Sequence, residues 1–469
     1  MNRTTRAGRR LPSPTTAAFL SFLWPGLGQL YLRSVRSAAI YGLPVLAGAL
    51  VLLLIAKFVG GLDVLAVHIF VPQTAIFVIL LSVVLGGWRL GSMAHAFRGG
   101  VVEQPRHWRS QVLARQAASR HQRSLRIFLV LAGIVVLTHG AIAWAAYAFY
   151  DAGTRIFVNE PGGPVSRPNP SSGLAIGGGP IESPHVTPPT RESRINMLLV
   201  GADSGLGYNH SLTDTMILVT IDPSSRSVAL LSLPRDLGRL PMYSGGTYPG
   251  KLNSIVSTAD AHPADYPDGG IGTLSREVGF LVGAPVHYFA YINLAGFKEL
   301  IDGIGGVDVV NERAISDAGY QFPDGKVGFY LATGLQHLDG RTALAYVRSR
   351  NGPGDNDFTR AARQQQLLLA LRTKLANPAM LPKIPSLLDA LANTIQTNFP
   401  ADRLGDMIQL AKSTSDDNVE RVVLGPPYAR RPSDASTYIL VPDLEMFAAL
   451  SIRLFGPDST YTTGEVPSR

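Results

Sequence analysis

Four arginines crowd around one short turn in the last third of this 469-residue chain. Arg348 and Arg350 stand two residues apart, so in an extended backbone their side chains point the same way. A helix is predicted to begin near Asp357, where it places Arg360 and Gln364 on one face, together with the fourth arginine at 363. Guanidinium groups bind phosphate through paired hydrogen bonds. The stretch therefore predicts a phosphate or pyrophosphate site, and the alternative is a solvated basic helix face.

A second polar group lies at the ends of predicted strands. Asp203 and Asp214 flank the gap between the first two strands, and Arg235 and Asp236 follow the third. Ligands of layered α/β domains bind in loops at strand ends. Two carboxylates without histidine or cysteine partners favour a hard cation, Mg²⁺ or Mn²⁺. Turn chemistry for the two carboxylates, and a surface ion pair for Arg235 and Asp236, are the alternatives.

The charge of the chain is divided unevenly along its length. Residues 1–150 hold 15 lysines and arginines against two acidic residues, whereas residues 151–469 hold 27 against 32. The basic excess therefore belongs to the apolar N-terminal part, which argues against a nucleic-acid partner. The chain contains no cysteine, which excludes disulfides and thiolate metal sites.

Three apolar runs, at 38–60, 64–85 and 127–150, are long enough to cross a membrane. A shorter run at 17–32 is interrupted by Pro-Gly-Leu-Gly-Gln and is expected to lie in the interface or to re-enter, although a span there stays an alternative. Arginines concentrate in the N-terminus and in the 91–124 loop, so both are predicted to be cytoplasmic. Three spans then place the rest of the chain outside the cytoplasm, anchored to the cell membrane.

The composition divides the chain into five predicted parts. Strands alternating with helices over residues 194–456 predict an α/β domain. The Pro/Gly/Ser-rich stretch at 151–193 predicts a flexible linker. The parts are a basic N-terminus with the short apolar segment (1–36), three transmembrane helices (37–150), the linker (151–193), the catalytic domain (194–456) and a disordered tail (457–469).

Seven short motifs, in this order, resemble the LytR–CpsA–Psr family of cell-wall glycopolymer ligases. Each is short, but their order along one chain makes the set specific. They are GADSG at 201–205, TDTMILVTID at 213–222, SLPRD at 232–236, KLNS at 251–254, GIGGVDV at 303–309, LDGRTALAYVRSR at 338–350 and DFTRAARQQQ at 357–366.

The resemblance implies a central mixed sheet sandwiched by helices, with an apolar tunnel for a polyprenyl chain. It implies Mg²⁺-dependent transfer of a glycopolymer phosphate from a polyprenyl-pyrophosphate carrier to a peptidoglycan hydroxyl. A secondary pyrophosphatase activity is expected as well, because water can replace the acceptor hydroxyl at an activated phosphate. Teichoic acid, capsule and arabinogalactan are the candidate polymers. Segments 271–281, 294–304 and 366–371 are apolar enough to line the tunnel, although ordinary core is the alternative.

The resemblance also assigns roles to individual residues. Asp203 and Asp214 would bind the metal ion. The candidate catalytic residues are Arg235, Asp236, Arg348 and Arg350. The pyrophosphate contacts would come from Arg235, Arg348, Arg350, Arg360 and Gln364.

The chain departs from the family pattern at two positions. The family usually has an arginine two residues before the second aspartate, Asp214, and this chain has Leu212 there. An arginine that often follows the first aspartate motif, Gly-Ala-Asp at 201–203, is also missing, and Gly-Leu-Gly stands at 205–207 instead. His210, Lys251 and Arg363 are candidates to replace the lost contacts. The departures motivate an alternative function, a catalytically weak lipid-binding regulator or scaffold of cell-envelope assembly.

Overall fold

A computed structural model describes most of the chain as two compact units, Met1–Tyr150 and Asp151–Arg469. Most of the predicted linker lies outside the described residues, and so do most of residues 384–395, whose sequence predicts a further helix. The described residues are 12–59, 71–100, 111–157, 189–190, 193–203, 212–375, 377, 379–380, 387 and 394–463.

The N-terminal unit is helical, and three of its helices are long and apolar enough to cross a membrane. These three overlap the predicted spans, and the described part of the second begins at a proline, which suits the first turn of a helix. The helices are Pro14–Leu23 (α1), Leu27–Tyr31 (α2), Val35–Val59 (α3), Pro72–Gly99 (α4) and Gln111–Ile156 (α5).

The short apolar run at 17–32 forms the hairpin of α1 and α2. Gly26 makes the turn with a φ of 101°, a backbone conformation that suits glycine. A Cβ on Gly28 would lie 2.0 Å from the carbonyl oxygen of Ala17, so only glycine allows the two helices to approach this closely. The buried Gln29 side chain accepts a hydrogen bond from Ser21 and donates one to the Ser92 carbonyl of α4. These contacts fix the hairpin against α4.

The C-terminal unit contains a six-stranded mixed sheet. Its strands, in chain order with those of three small two-stranded sheets, are Ile195–Ala202 (β1), Thr213–Asp222 (β2), Ser227–Ser232 (β3), Tyr288–Asn293 (β4), Val307–Asn311 (β5), Ile315–Gln321 (β6), Val327–Leu331 (β7), Gly334–Leu338 (β8), Ile395–Thr397 (β9), Val419–Val423 (β10), Ala429–Arg430 (β11) and Val441–Pro442 (β12). The central sheet has the order β10-β3-β2-β1-β4-β9. The pairs β1–β4 and β3–β10 are parallel and the other pairs are antiparallel.

Helices complete the C-terminal unit. The α-helices are Ile255–Ala261 (α6), Gly269–Val282 (α7), Leu294–Gly303 (α8), Gly340–Arg348 (α9), Asp357–Leu375 (α10), Leu404–Ser413 (α11), Leu444–Phe455 (α12) and Thr460–Thr463 (α13). Short 3₁₀ turns occur at Leu252–Ser254, Ala401–Arg403, Asp416–Asn418 and Gly456–Asp458.

Alternating residues of the central strands face two apolar layers. On β1, Leu198 and Val200 are buried against α6, α7 and α12, whereas Ile195 packs in a second cluster that includes Leu404 and Met407 of α11. Each fully buried Leu, Ile or Val contributes about 1.5–3 kcal/mol of transfer free energy. Helices thus cover both faces, and the predicted fold class, a central mixed sheet sandwiched by helices, is confirmed.

A third cluster joins α8, α9 and α10 to strands β5 to β8. The segments expected to line a lipid tunnel divide between clusters, because Ile271 and Leu281 of α7 belong to the sheet core whereas Ile301 of α8 and Leu367 of α10 belong to this third cluster. The extended backbone expected around Arg348 is wrong. Arg348 is the last residue of the amphipathic helix α9, whose apolar face includes the buried side chains of Leu344 and Tyr346.

The disordered tail expected from residue 457 onward is wrong for its described part. Ser459 is fully buried and its hydroxyl lies 2.6 Å from that of Ser451 on α12. Tyr461 donates a hydrogen bond to the Leu281 carbonyl, and the Thr460 amide donates to the Gly283 carbonyl. Residues 457–463 therefore close the end of α7.

Candidate active site

The two predicted metal-binding carboxylates lie on adjacent strands. Asp203 follows β1, and its amide donates a hydrogen bond to the carbonyl oxygen of Leu212 just before β2. Gly201 pairs with Thr215 and Ala202 pairs with Thr213, so Asp214 is the extra residue of a β-bulge. Such a bulge turns a side chain out of the regular alternation of the strand. The bulge explains how β1 and β2 place both carboxylates at the same end of the two neighbouring strands.

Each of these carboxylates holds one arginine. Arg235, which follows β3, donates from Nη1 to Oδ1 of Asp214 at 2.7 Å. Arg348, at the end of α9, donates from Nη2 to Oδ2 of Asp203 at 3.0 Å. Strand ends and helix end therefore meet at this site, although the paired residues are 21 and 145 positions apart in the sequence.

The carboxylate of Asp357 lies close to three guanidinium groups. Its Oδ1 is 3.1 Å from Arg360, 3.7 Å from Arg350 and 4.0 Å from Arg235. At the start of α10 the Asp357 side chain could in principle cap the helix or orient an arginine. The cap is Asn356, whose Oδ1 accepts hydrogen bonds from the amides of residues 358 and 359. The carboxylate of Asp357 is thus available to the arginines.

Asp236 adds a lysine to the site. Its Oδ1 accepts a hydrogen bond of 2.5 Å from Lys251, and its Oδ2 is 3.6 Å from Nε of Arg235. Five cationic side chains and four carboxylates therefore occupy the site, which leaves one net positive charge. The cations are Arg235, Lys251, Arg348, Arg350 and Arg360, and the carboxylates are Asp203, Asp214, Asp236 and Asp357.

Burial and neighbouring charges act in opposite directions on the arginines. Burial alone would lower the pKa of Arg235, but the charge and hydrogen bond of Asp214 outweigh it and raise that pKa. Burial lowers the pKa of Arg360, and the charge of Asp357 opposes the change only in part. Arginine titrates far above neutral pH, so both side chains remain cationic.

Several buried polar atoms of this site have no hydrogen-bond partner among the described residues. They are Oδ1 of Asp203, Nε of Arg235 and Nε of Arg360. Buried polar atoms without partners are rare in proteins and call for an explanation such as a ligand or an ion. The unpaired carboxylate oxygen of Asp203, next to Asp214, suits a hard cation such as Mg²⁺ or Mn²⁺, and the guanidinium nitrogens suit phosphate oxygens.

Gln364 reaches the site from α10. Its Nε2 donates to Oγ1 of Thr215 at 2.9 Å and to the carbonyl oxygen of Val347 at 3.1 Å. The amide nitrogen is therefore engaged by β2 and α9, and it joins the strand that carries Asp214 to the helix that carries Arg348.

Asp317 was not recognised from the sequence, although it fixes the turn between the arginines. It is 1% exposed, and its Oδ2 accepts hydrogen bonds from the Ser349 hydroxyl and from the amides of Arg350 and Asn351. An aspartate in the alternating strand β6 gives no sequence signal of this role, because its partners are more than 30 residues away.

Arg363 does not replace a missing site arginine. Its Nε donates to the Tyr346 carbonyl, its Nη2 to the Ser349 carbonyl, and its Nη1 to Oδ1 of Asp355 at 2.9 Å. Arg363 thus binds the end of α9 to α10. Of the other two candidates, Lys251 lies in the site through Asp236, and His210 lies outside the described residues.

The sequence model of the LytR_cpsA_psr family matches residues 177–450. A Bacillus mycoides protein named polyisoprenyl-teichoic acid–peptidoglycan teichoic acid transferase TagU is 27% identical over 315 residues, which are 67% of this chain and 91% of that protein. A Halalkalibacterium halodurans protein of the same name is 31% identical over 212 residues, covering 45% and 63%.

Solved structures of similar proteins include B. subtilis TagV, with 23% identity and a TM-score of 0.45 over 56% of this chain and 98% of that one. Another is described as TagT bound to LIIa-WTA, with 24% identity and a TM-score of 0.44 over 56% and 90%.

Proposed function

Because the chain belongs to the LytR_cpsA_psr family, we propose that it is a membrane-anchored phosphotransferase whose C-terminal unit works outside the cytoplasm. It would move a glycopolymer phosphate from a polyprenyl-pyrophosphate carrier to a hydroxyl of peptidoglycan. The two relatives are named as transferases of teichoic acid from a polyisoprenyl-linked form to peptidoglycan, and these names support this substrate class. Capsule and arabinogalactan remain equally compatible polymers for this chain.

The observation that carries the proposal is the convergence of cations and unpaired polar atoms at the ends of β1, β2 and β3. Arg235, Arg348, Arg350 and Arg360 would bind the pyrophosphate, and each is oriented by a carboxylate. Preoriented cations stabilise the charge that develops on the phosphate oxygens during transfer. A solvated basic helix face would not bury Arg360 at 6% exposure.

The reaction is a displacement at phosphorus. The oxygen of the acceptor hydroxyl forms a bond to the phosphorus that carries the glycopolymer, and the bond from that phosphorus to the bridging oxygen breaks. Polyprenyl phosphate leaves with the bridging oxygen, and the hydroxyl proton passes to solvent or to the leaving phosphate. Water in place of the acceptor would give the secondary pyrophosphatase activity.

Asp203 and Asp214 would hold Mg²⁺ or Mn²⁺ through the oxygens that their arginines do not use. A bound divalent cation would neutralise charge on the pyrophosphate. Asp236 orients Arg235 and Lys251, which makes Lys251 a further cation for the same phosphates.

Substitution of site residues tests the proposal. We expect Arg348→Ala and Asp214→Asn each to lower transfer by about 100-fold or more, as expected for the loss of one preorganised charge. Arg453→Ala is a matched control, because this exposed arginine pairs with Glu420 away from the site. Normal transfer by both site variants would contradict the assignment. Tight donor binding with no turnover in the wild type would favour the regulator suggested by Leu212.

A further inference from the structure

A second cleft, of about 340 Å³, lies between α8, α9 and the loop that follows β6. Its volume falls in the range of small-ligand sites, which begins at about 300 Å³. Leu294, Ala295 and Leu344 contribute apolar surface, and Pro323 contributes from the loop. None of these residues belongs to the phosphate site. The cleft therefore offers a separate surface for a ligand with an apolar face.

Charged groups of both signs line the same cleft. Lys298 and Arg341 carry positive charge, and Glu299 and Asp324 carry negative charge. Their net charge is zero, in contrast to the positive phosphate site. A polyanion such as a glycopolymer phosphate gains nothing from a neutral cleft. A ligand that combines sugar rings with carboxylates and amines matches it better.

The cations of the cleft are held in place yet remain accessible. The guanidinium carbon of Arg341 lies 3.5 Å from the centre of the Phe322 ring, and its Nη2 is 3.3 Å from both carboxylate oxygens of Asp324. Lys298 donates to Asp302 at 2.8 Å, and its side chain is 48% exposed. Side chains that are already oriented lose less freedom when they bind a ligand.

Helix α9 connects the cleft to the phosphate site. Arg341 lies in its first turn and Arg348 is its last residue, so a rise of about 1.5 Å per residue separates them by roughly 10 Å. The start of the helix is fixed, because Oδ1 of the capping residue Asp339 accepts a hydrogen bond from the Thr342 amide, and Asp302 accepts one from the Gly340 amide, both at 2.7 Å. A ligand in the cleft would therefore lie at a fixed distance from Arg348 in the phosphate site.

We propose that this cleft binds the peptidoglycan acceptor strand. Sugar rings lie on the apolar surface, the carboxylates of the strand and its peptide face Lys298 and Arg341, and a neighbouring hydroxyl extends toward the phosphate site. The inference rests on the proposed function, since that function defines the acceptor.

The test uses the full-length protein in detergent and a soluble disaccharide–peptide fragment of peptidoglycan. Ala295→Trp fills the cleft, Lys298→Glu reverses an exposed charge, and Lys412→Glu on α11 is the matched control. We expect both cleft variants to bind the fragment about tenfold more weakly by calorimetry and to raise the acceptor KM by a similar factor. Acceptor-independent hydrolysis of the donor should stay within twofold of wild type.

Unchanged fragment affinity in the two cleft variants would overturn the assignment. If Ala295→Trp fails to fold, Lys298→Glu decides alone, because its side chain lies at the surface. Fragment binding that depends on the cleft, together with a wild type that transfers nothing, would leave the cleft standing and refute the proposed phosphotransferase. If the wild type transfers the glycopolymer phosphate but fragment binding does not depend on the cleft residues, the phosphotransferase stands and the cleft assignment is refuted.

Discussion

Asp357 contacts three arginines and therefore controls the spacing of the cations that would bind pyrophosphate. The same principle recurs across the site, where Asp203, Asp214 and Asp236 each hold a cation by one oxygen. Carboxylates that orient guanidinium groups keep like charges close together at a low cost in repulsion. Binding of a phosphate then requires little rearrangement of the side chains.

Asp317 gives a prediction for a positioning residue. Asp317→Ala leaves two backbone amides and a buried hydroxyl without an acceptor, which costs about 1–3 kcal/mol per group. We expect transfer to fall about tenfold or more, with a raised KM for the donor, because Arg350 is displaced. Asp317→Asn retains one acceptor oxygen and should recover most of the activity.

A matched control separates positioning from general destabilisation. Asn196 is equally buried, and its side chain donates to the Pro285 carbonyl far along the chain from the arginine turn. Asn196→Ala should lower the melting temperature without changing the donor KM. If Asp317→Ala lowers only the melting temperature as well, Asp317 has no positioning role.

His287 gives a prediction for the pH dependence of stability. Burial, with a contribution from Arg403, lowers the pKa of His287 to about 4, and its Nδ1 lies 3.0 Å from the Asn196 amide. The unfolded chain binds this proton near pH 6.5, so the free energy of unfolding should fall between pH 6.5 and 4, by at most about 3 kcal/mol. Denaturant unfolding across this pH range checks the slope, which should shrink in His287→Gln. An equal slope in that variant would contradict the role of this histidine.

At the scale of elements, the strand and helix pattern was predictable where hydrophobic periodicity was strong. The helix at Asp357 and the strands around Asp203, Asp214 and Arg235 follow from local sequence. The helical state of Arg348 was missed, because α9 is only nine residues long and lies next to a turn-rich segment. The contacts of Asp317 and Arg363 depend on tertiary packing, and no local pattern announces them.

The hairpin of α1 and α2 gives a prediction for the N-terminal unit. Gly28→Ala places a Cβ against the Ala17 carbonyl and the Ser21 hydroxyl, so α1 must move away from α2. Gly48→Ala on α3 is the matched control, since a Cβ there meets no atom within 4 Å. We expect the first variant alone to lower the melting temperature of the full-length protein in detergent. Equal melting temperatures would show that the two helices do not depend on this contact.

At the scale of the whole molecule, the arginine distribution predicts the membrane topology. The chain has no cysteine, so a single introduced cysteine reports its own location. A membrane-impermeant maleimide should label Ser225→Cys, an exposed position in the turn between β2 and β3, in intact cells. Ser110→Cys, in the predicted cytoplasmic loop, should be labelled only after the membrane is permeabilised. The reverse pattern would contradict the topology.

The most direct measurement of the central claim is the product balance of the wild-type reaction. Full-length protein is incubated with a polyprenyl-pyrophosphate-linked oligosaccharide, a peptidoglycan fragment and Mg²⁺, and both products are quantified by mass spectrometry. The account predicts one polyprenyl phosphate released for each fragment that gains the oligosaccharide phosphate, with little product when the metal is chelated. Release of polyprenyl phosphate without any modified fragment, at saturating acceptor, would contradict it.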